Sequence, residues 1–312
     1  MGCSTVGVEE EEVSPNVPLD GVCGSVEDIM LSWRKMGGGQ NNFYRRSFYM
    51  TIATIVAENV LSYLPRALGS PPLFVALQGP QGSGKTHLSR SLVSILASPP
   101  HSLRAVVLSV DDLYLTHDVL CDLTNEHPFN KLWKGRGQPG THDVTLGTEV
   151  FRGLHEINAQ VRESGSVSKA QVNLPVFDKS RFSGEGDRAS EVVVVSPPVD
   201  IVIFEGWCVG FYPLTREALD AKWESVQAGI EVRQDGIIWR AMDGVRKEDL
   251  EAVNEALRKY VDEWYSFFEV FVRVSGFLPK CFMCLFELFY KSLPGMERFD
   301  RRPMRHISIY TM

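Results

Sequence analysis

No apolar run in this chain approaches the roughly 20 residues needed to cross a bilayer, so neither a spanning segment nor a membrane partner is expected. Positive charge is scarce: Lys and Arg total 32 against 39 Asp and Glu, a formal net charge of −7. General nucleic-acid affinity comes from neutralising phosphates with Lys and Arg, so a nucleic-acid partner is not expected either. Cysteine is sparse, with six residues in 312, too few for a disulfide scaffold. Cys281 and Cys284 form a CxxC, but no second CxxC and no His pair completes a zinc set. They lie in the apolar stretch CFMCLFELFY, where a free Cys behaves as a small hydrophobe. There is no internal repeat. What remains is ordinary globular composition, 44% hydrophobic and 23% charged, enough to fill the core of one or two domains.

The N-terminus reads MGCSTVGVEEEEVSP. Gly2 and Cys3 suggest acylation, but Val6 stands where the myristoylation pattern wants Ser or Thr. The acidic run Glu9 to Glu12 is opposite in character to an Arg-rich, acid-poor transit peptide. Residues 1–25 therefore read as a disordered acidic tail, with the cytoplasm as the default compartment.

From Phe43 to Leu68, Ile52, Ile55, Val56, Val60 and Leu61 recur at helical spacing, and Pro65 suits the far end. The apolar run Leu73 to Gln78 predicts a buried strand that breaks off at GPQGSGKT, and HLSRSLVSIL then continues as a helix. Arg104 to Val110, Glu191 to Val195 and Asp200 to Phe204 predict three more strands, with Pro197-Pro198 turning the second into the third. Residues 117–143 carry Pro, Gly, Asn and charge and read mostly as loop. Thr148 to Val161 is helix-like, VNLPVFDKS is extended and broken by Pro175, and Leu250 to Val272 reads as a long amphipathic helix or helix pair. Buried strands alternating with helices predict an α/β fold, a mainly parallel sheet with helices on both faces and an insertion at about 115–190.

Gly79, Pro80, Gln81, Gly82, Ser83, Gly84, Lys85 and Thr86 match GxxxxGK[ST] in full, the P-loop pattern. The glycines let successive backbone N–H groups converge on one centre, a nest for phosphate oxygens. Lys85 supplies a point charge to the β- and γ-phosphates, Thr86 a hydroxyl for Mg²⁺, and the following helix its positive end. The pattern predicts binding of a nucleoside triphosphate, here ATP, and is silent about the fate of its phosphates. Two acids follow strands: Asp111 opens DDLY and Glu205 opens EGW. Phosphoryl transfer to an alcohol needs one carboxylate to orient the hydroxyl and accept its proton, and another on the Mg²⁺ side. Asp111 and Glu205 fill those roles, whereas Asp112 reads equally well as a turn former or cap. Basic and polar residues cluster in between: Arg136 and His142 in KGRGQPGTHD, Asp178 and Lys179 in FDKSR, and Arg188 in GDR. A cationic pocket of this kind suits a small anionic acceptor.

In this order, GPQGSGKT, SVDDLY, GRGQPGTHD, FDKSRFSGEGDR and FEGWCVGF resemble the plant and fungal D-glycerate 3-kinase family, P-loop kinases related to uridine kinase, pantothenate kinase and phosphoribulokinase. The likeness covers roughly residues 40 to 273. It implies a P-loop NTPase fold and ATP- and Mg²⁺-dependent phosphorylation of D-glycerate to 3-phosphoglycerate. Asp111 matches the base and Glu205, with Thr86, the metal side. The residues alone reach only a P-loop kinase of a small anionic alcohol; glycerate comes from the resemblance. Other acceptors of the uridine or pantothenate kind remain alternatives.

The resemblance stops near residue 273. Family members continue with a Trp- and Arg-bearing segment and a closing motif that this chain lacks, and that segment is expected to cover the nucleotide. Residues 26–273 are accordingly expected to form the kinase domain. Residues 274–312 are expected to be an atypical tail, from intron read-through or an alternative end. A nucleotide-binding protein made inactive by the missing segment is the reading from another class. The sequence carries no signal of oligomeric state.

Overall fold

The structure is a computed structural model that describes residues 42–65, 67, 69–159, 171–227, 244–276 and 305–311. The acidic tail, the Cys281/Cys284 pair and the end of the helix expected to reach Val161 lie outside the described residues.

Six helices and seven strands are described. The helices are α1 (Asn42–Leu61), α2 (Lys85–Ala97), α3 (His117–Glu126), α4 (Val144–Glu156), α5 (Arg216–Gln227) and α6 (Lys247–Trp264). The strands are β1 (Leu73–Gln78), β2 (Ala105–Ser109), β3 (Val172–Asp178), β4 (Asp187–Val195), β5 (Ile201–Gly206), β6 (Val270–Gly276) and β7 (Arg305–Thr311). Five strands form one sheet in the order β2-β5-β1-β6-β7, with every neighbouring pair parallel. β3 and β4 form a separate antiparallel hairpin.

β1 and β5 are buried at all six positions each, as their unbroken apolar sequences require of strands covered on both faces. Side chains alternate across the pleat and feed two cores. Phe74, Ala76, Val202, Phe204 and Phe271 pack with Val150, Phe151 and Leu154 of α4 and Leu257, Tyr260 and Trp264 of α6. Leu73, Val75, Leu77, Ile201, Ile203, Val270 and Val272 pack under α1 and α2, against Val56, Val60, Leu88 and Leu92. After β1 the chain crosses to β2, and only later does a strand, β6, settle on the other side of β1. The carboxyl end of β1 is thus the switch point at which open parallel sheets form a ligand crevice.

Three sequence expectations need correction. Residues 117–143 are not mostly loop. They contain α3 and a 3-10 turn at Lys131–Trp133, and α3 escaped notice because Leu120 is its only buried residue. The long helix expected to run to Val272 ends at Trp264, and Val270 to Val272 lie in β6 beside β1. Its Val270, Val272 and Val274 enter one core and Phe271 the other, period-2 burial that mimics a helix continuation over so few residues. Glu191 to Val195 is a strand, but in the hairpin and not beside β5; Val192, Val193 and Val194 are exposed. β6 passes through residues 273 and 274 without a break, and β7 lies parallel to it. Among the described residues no helix is long and apolar enough to cross a membrane.

Candidate active site

The loops leaving β1, β5 and β2 lie side by side, since these strands are neighbours and point the same way. The loop after β1 turns on Gly82 and Gly84, with φ of 76° and 87°, a region that side chains with a Cβ enter at a cost. Gly79 answers a different need: a Cβ there would sit 2.7 Å from Ser83 Oγ and 2.9 Å from the Val274 carbonyl. Gly84 is the N-cap of α2 and brings no side-chain cap, so the first amides of the helix remain for an anion. Lys85 Nζ donates to the Pro80 carbonyl at 2.9 Å, folded over its own loop. Ser83 Oγ is buried and finds no hydrogen-bond partner among the described residues, a polar group the loop itself does not satisfy.

Glu205 ends β5 and Thr86 opens α2; the Thr86 hydroxyl donates to Glu205 Oε1 at 3.5 Å. Burial pushes the Glu205 carboxyl above its usual value, against the pull of Lys85 and a hydrogen bond from Ser109. Among the described residues no group of three or more His, Cys, Asp or Glu could hold a metal. Thr86 and Glu205 are hard oxygen donors, and such a pair suits Mg²⁺, which takes few protein ligands and completes its shell with phosphate oxygens and water.

Asp111 follows β2 in the 3-10 turn Val110–Leu113, whose Ser109 Oγ accepts from the Asp111 amide at 3.3 Å. Both carboxylate oxygens are engaged. Tyr114 donates to Oδ1 at 3.0 Å, and Lys179 Nζ lies 2.5 Å from Oδ2. Burial raises the Asp111 pKa, but Lys179 and the Tyr114 hydroxyl outweigh it and hold the group below its ordinary value, so it is anionic at neutral pH. Asp112 is structural. Its Oδ1 accepts from the Phe177 amide of β3 at 3.3 Å, and burial raises its pKa.

The GRGQPGTHD loop is organised by its own side chains. Thr141 Oγ1 accepts from the Gly137 amide and donates to the Gln138 carbonyl, while Asp143 caps α4 through the Leu146 amide. His142 is 3% exposed and stacks on Tyr114 with ring centroids 4.4 Å apart. Its Nδ1 lies 2.6 Å from the Tyr260 hydroxyl, which also accepts from the Gly140 amide. The assignment leaving fewest polar groups unpaired has Tyr260 donating to Nδ1 and the ring proton on Nε2, which has no partner among the described residues. Burial lowers the His142 pKa to about 4, so the ring is neutral near pH 7.

The remaining expected residues divide. Lys179 reaches Asp111. Arg136 Nη1 donates to the Gly184 and Glu185 carbonyls and its guanidinium lies over the Phe177 ring, tying its loop to the hairpin turn. Arg188 donates to the Tyr114 carbonyl at 2.8 Å and pairs with Asp143 at 3.1 Å. Asp178 accepts from the Ser180 amide and hydroxyl and pairs with Arg181, as a turn former does. Sequence reasoning missed Tyr114 and Tyr260. The first is signalled weakly by its place three residues after Asp111; the second contacts His142 across 118 positions of chain and leaves no local trace.

No protein-family model matches the chain. A Saccharomyces cerevisiae protein named "Probable ATP-dependent kinase TDA10" is 40% identical over 144 residues, 46% of this chain and 48% of that protein. The chloroplastic D-glycerate 3-kinase of Arabidopsis thaliana is 32% identical over 196 residues, 62% of this chain and 37% of that protein. The chain thus spans about half the length of the yeast relative and little more than a third of the plant one. The solved structure of D-glycerate 3-kinase from Cryptococcus neoformans matches with a TM-score of 0.60 and 32% identity, over 76% of this chain and 74% of that one. With a phosphate nest at the switch point of a parallel sheet, flanking acids on the neighbouring strands and this extent of likeness, the chain belongs to the D-glycerate 3-kinase family of P-loop kinases.

Proposed function

We propose that the chain transfers the γ-phosphoryl group of ATP to D-glycerate, giving ADP and 3-phosphoglycerate. The observation that carries this reading is the convergence of the phosphate loop, Glu205 and Asp111 on adjacent strand ends, with a lysine already seated on Asp111. The main-chain amides of residues 79–86 hold the polyphosphate, and Lys85 leaves the Pro80 carbonyl for the β/γ-phosphates. Thr86 and Glu205 would hold Mg²⁺, which when bound would offset charge on the phosphate oxygens. Asp111 orients the acceptor hydroxyl and takes its proton as the oxygen bonds to phosphorus and ADP departs. Because such transfer passes through a loose transition state with little bond making, positioning matters more than strong basicity, and a carboxylate held below its usual pKa suffices.

The family membership and the cationic turn around Lys179 support glycerate as acceptor. Among the residues expected to contact it, Lys179 is the best placed. Arg136 fixes the hairpin turn from which Lys179 extends, Asp178 shapes that turn, and Arg188 and His142 support the Asp111–Tyr114 segment from behind. An ADP-release assay with D-glycerate, uridine and pantothenate tests the acceptor. Turnover on glycerate alone is expected; turnover on uridine or pantothenate without glycerate overturns the choice, and tight ATP binding with no turnover on any acceptor favours the inactive nucleotide-binding reading.

A further inference from the structure

Resting on the reading above, we propose that Lys179 is the acceptor's carboxylate contact and is handed over from Asp111: its ammonium leaves the base when, and only when, an anionic acceptor takes its place.

Asp111 has both carboxylate oxygens engaged, Oδ1 by the Tyr114 hydroxyl and Oδ2 by Lys179. Tyr114 is buried and cannot readily give way, since its ring is stacked on His142 and set edge-on to Phe177. Lys179 can. It extends from the turn after β3 and its side chain is 56% exposed. A lysine is a point charge on a flexible four-carbon stem and is not locked by two-pronged geometry.

The charges around the site single out this residue. Arg136 is bound to two hairpin carbonyls, Arg188 to the Tyr114 carbonyl and Asp143, and Arg181 to Asp178, Asp187 and the Arg188 carbonyl. Lys85 belongs to the phosphate loop. Among the described residues Asp111 is the only group with which Lys179 forms a hydrogen bond or ion pair, so it is the cation whose release breaks no other direct contact.

Exchanging one carboxylate for another at an exposed ammonium changes little in free energy, because such pairs are weak and well solvated on either side. A neutral alcohol offers no replacement. Lys179 then stays on Oδ2, where it competes for the lone pairs that must receive the hydroxyl proton. An acceptor bearing both a carboxylate and a nearby hydroxyl satisfies both ends at once, the anion on Lys179 and the hydroxyl on the oxygen it vacates. Selectivity for a hydroxy acid over a neutral polyol follows from that exchange without a dedicated anion pocket.

A double-mutant cycle on glycerate binding tests the exchange. The dissociation constant of D-glycerate is measured by calorimetry in the presence of ADP for the full chain, Asp111→Asn, Lys179→Met and the double variant, with wild-type turnover on glycerate measured alongside. Asp111→Asn frees Lys179 in advance and should tighten binding about three- to tenfold. Lys179→Met alone should leave it within about threefold, because the change removes the new pair together with the old pair that binding has to break, whereas in the Asp111→Asn background it should weaken binding about three- to tenfold. The gain from Asp111→Asn should vanish in the Lys179→Met background. Were Lys179 a fixed partner that merely orients Asp111, removing the Asp111 charge would tighten anion binding equally with and without the lysine, and that result overturns the exchange. A wild-type chain that does not phosphorylate glycerate overturns instead the reading on which the exchange rests.

Discussion

Acidification should loosen this fold through His142. The imidazole is 3% exposed, and burial takes its pKa from 6.5 down to about 4, with Asp111 pulling weakly the other way. In the unfolded chain the ring is in water and titrates near its ordinary value of about 6.5. Between those two values the unfolded chain binds a proton that the folded chain does not. Stability is therefore complete above about pH 6.5 and falls as the pH drops towards 4. At about 1.36 kcal/mol per unit, the displacement amounts to about 3 kcal/mol once both values are passed, and to about 2.5 kcal/mol by about pH 4.5. Glu205 and Asp112 act with the opposite sign, since their raised carboxyls protonate more readily folded than unfolded. The comparison that isolates His142 is therefore with His142→Asn, whose Oδ1 still offers an acceptor to the Tyr260 hydroxyl. Urea unfolding of both proteins at about pH 7 and about pH 4.5 reads the difference. The wild type should lose about 2–3 kcal/mol more than the variant over that interval. Equal losses, or a native His142 that titrates near 6.5 by NMR, would refute the reasoning.

Other expectations follow from the phosphate loop and its flanking acids. Asp111→Asn should lower kcat by about 10²–10⁴-fold while leaving the ATP dissociation constant within about twofold, since the residue lies outside the phosphate nest; an unchanged kcat removes Asp111 from the base role. Glu205→Gln keeps an acceptor for the Thr86 hydroxyl but loses the charge, and the Mg²⁺ concentration for half-maximal turnover should rise about tenfold or more. Gly84→Ala forces a Cβ to a φ of 87°, at about 1–2 kcal/mol, which calorimetry should register as a fall in Tm of a few degrees and nucleotide titration as weaker ATP binding.

The central fold was legible in the sequence because its signals are local and strong. LFVALQ and DIVIF are apolar without interruption, and the glycine-rich turn between β1 and α2 has a chemical reason for every glycine it needs. α3 was not legible, since a helix with one buried leucine has almost no apolar stripe. Nor was the change from helix to strand after Trp264, because FEVFVRV buries residues on both faces of a central strand and helix and strand periods cannot be told apart over seven positions. The site shows the same division. Asp111, Glu205 and the loop 79–86 stand out because they follow strands. The hydroxyls of Tyr114 and Tyr260, which fix Asp111 and His142, depend on tertiary packing that no short pattern encodes. His142 and Arg188 drew attention for their chemistry, and their contacts to Tyr260 and Asp143 are of the same tertiary kind.

Phosphorus NMR of the intact chain incubated with ATP, Mg²⁺ and D-glycerate tests the assigned phosphotransfer most directly. Resonances of ADP and 3-phosphoglycerate should grow together at the expense of ATP, and neither should grow when Lys85→Ala replaces the wild type. ATP consumed with inorganic phosphate as its only new partner, or product formed equally well without Lys85, would contradict the proposed chemistry.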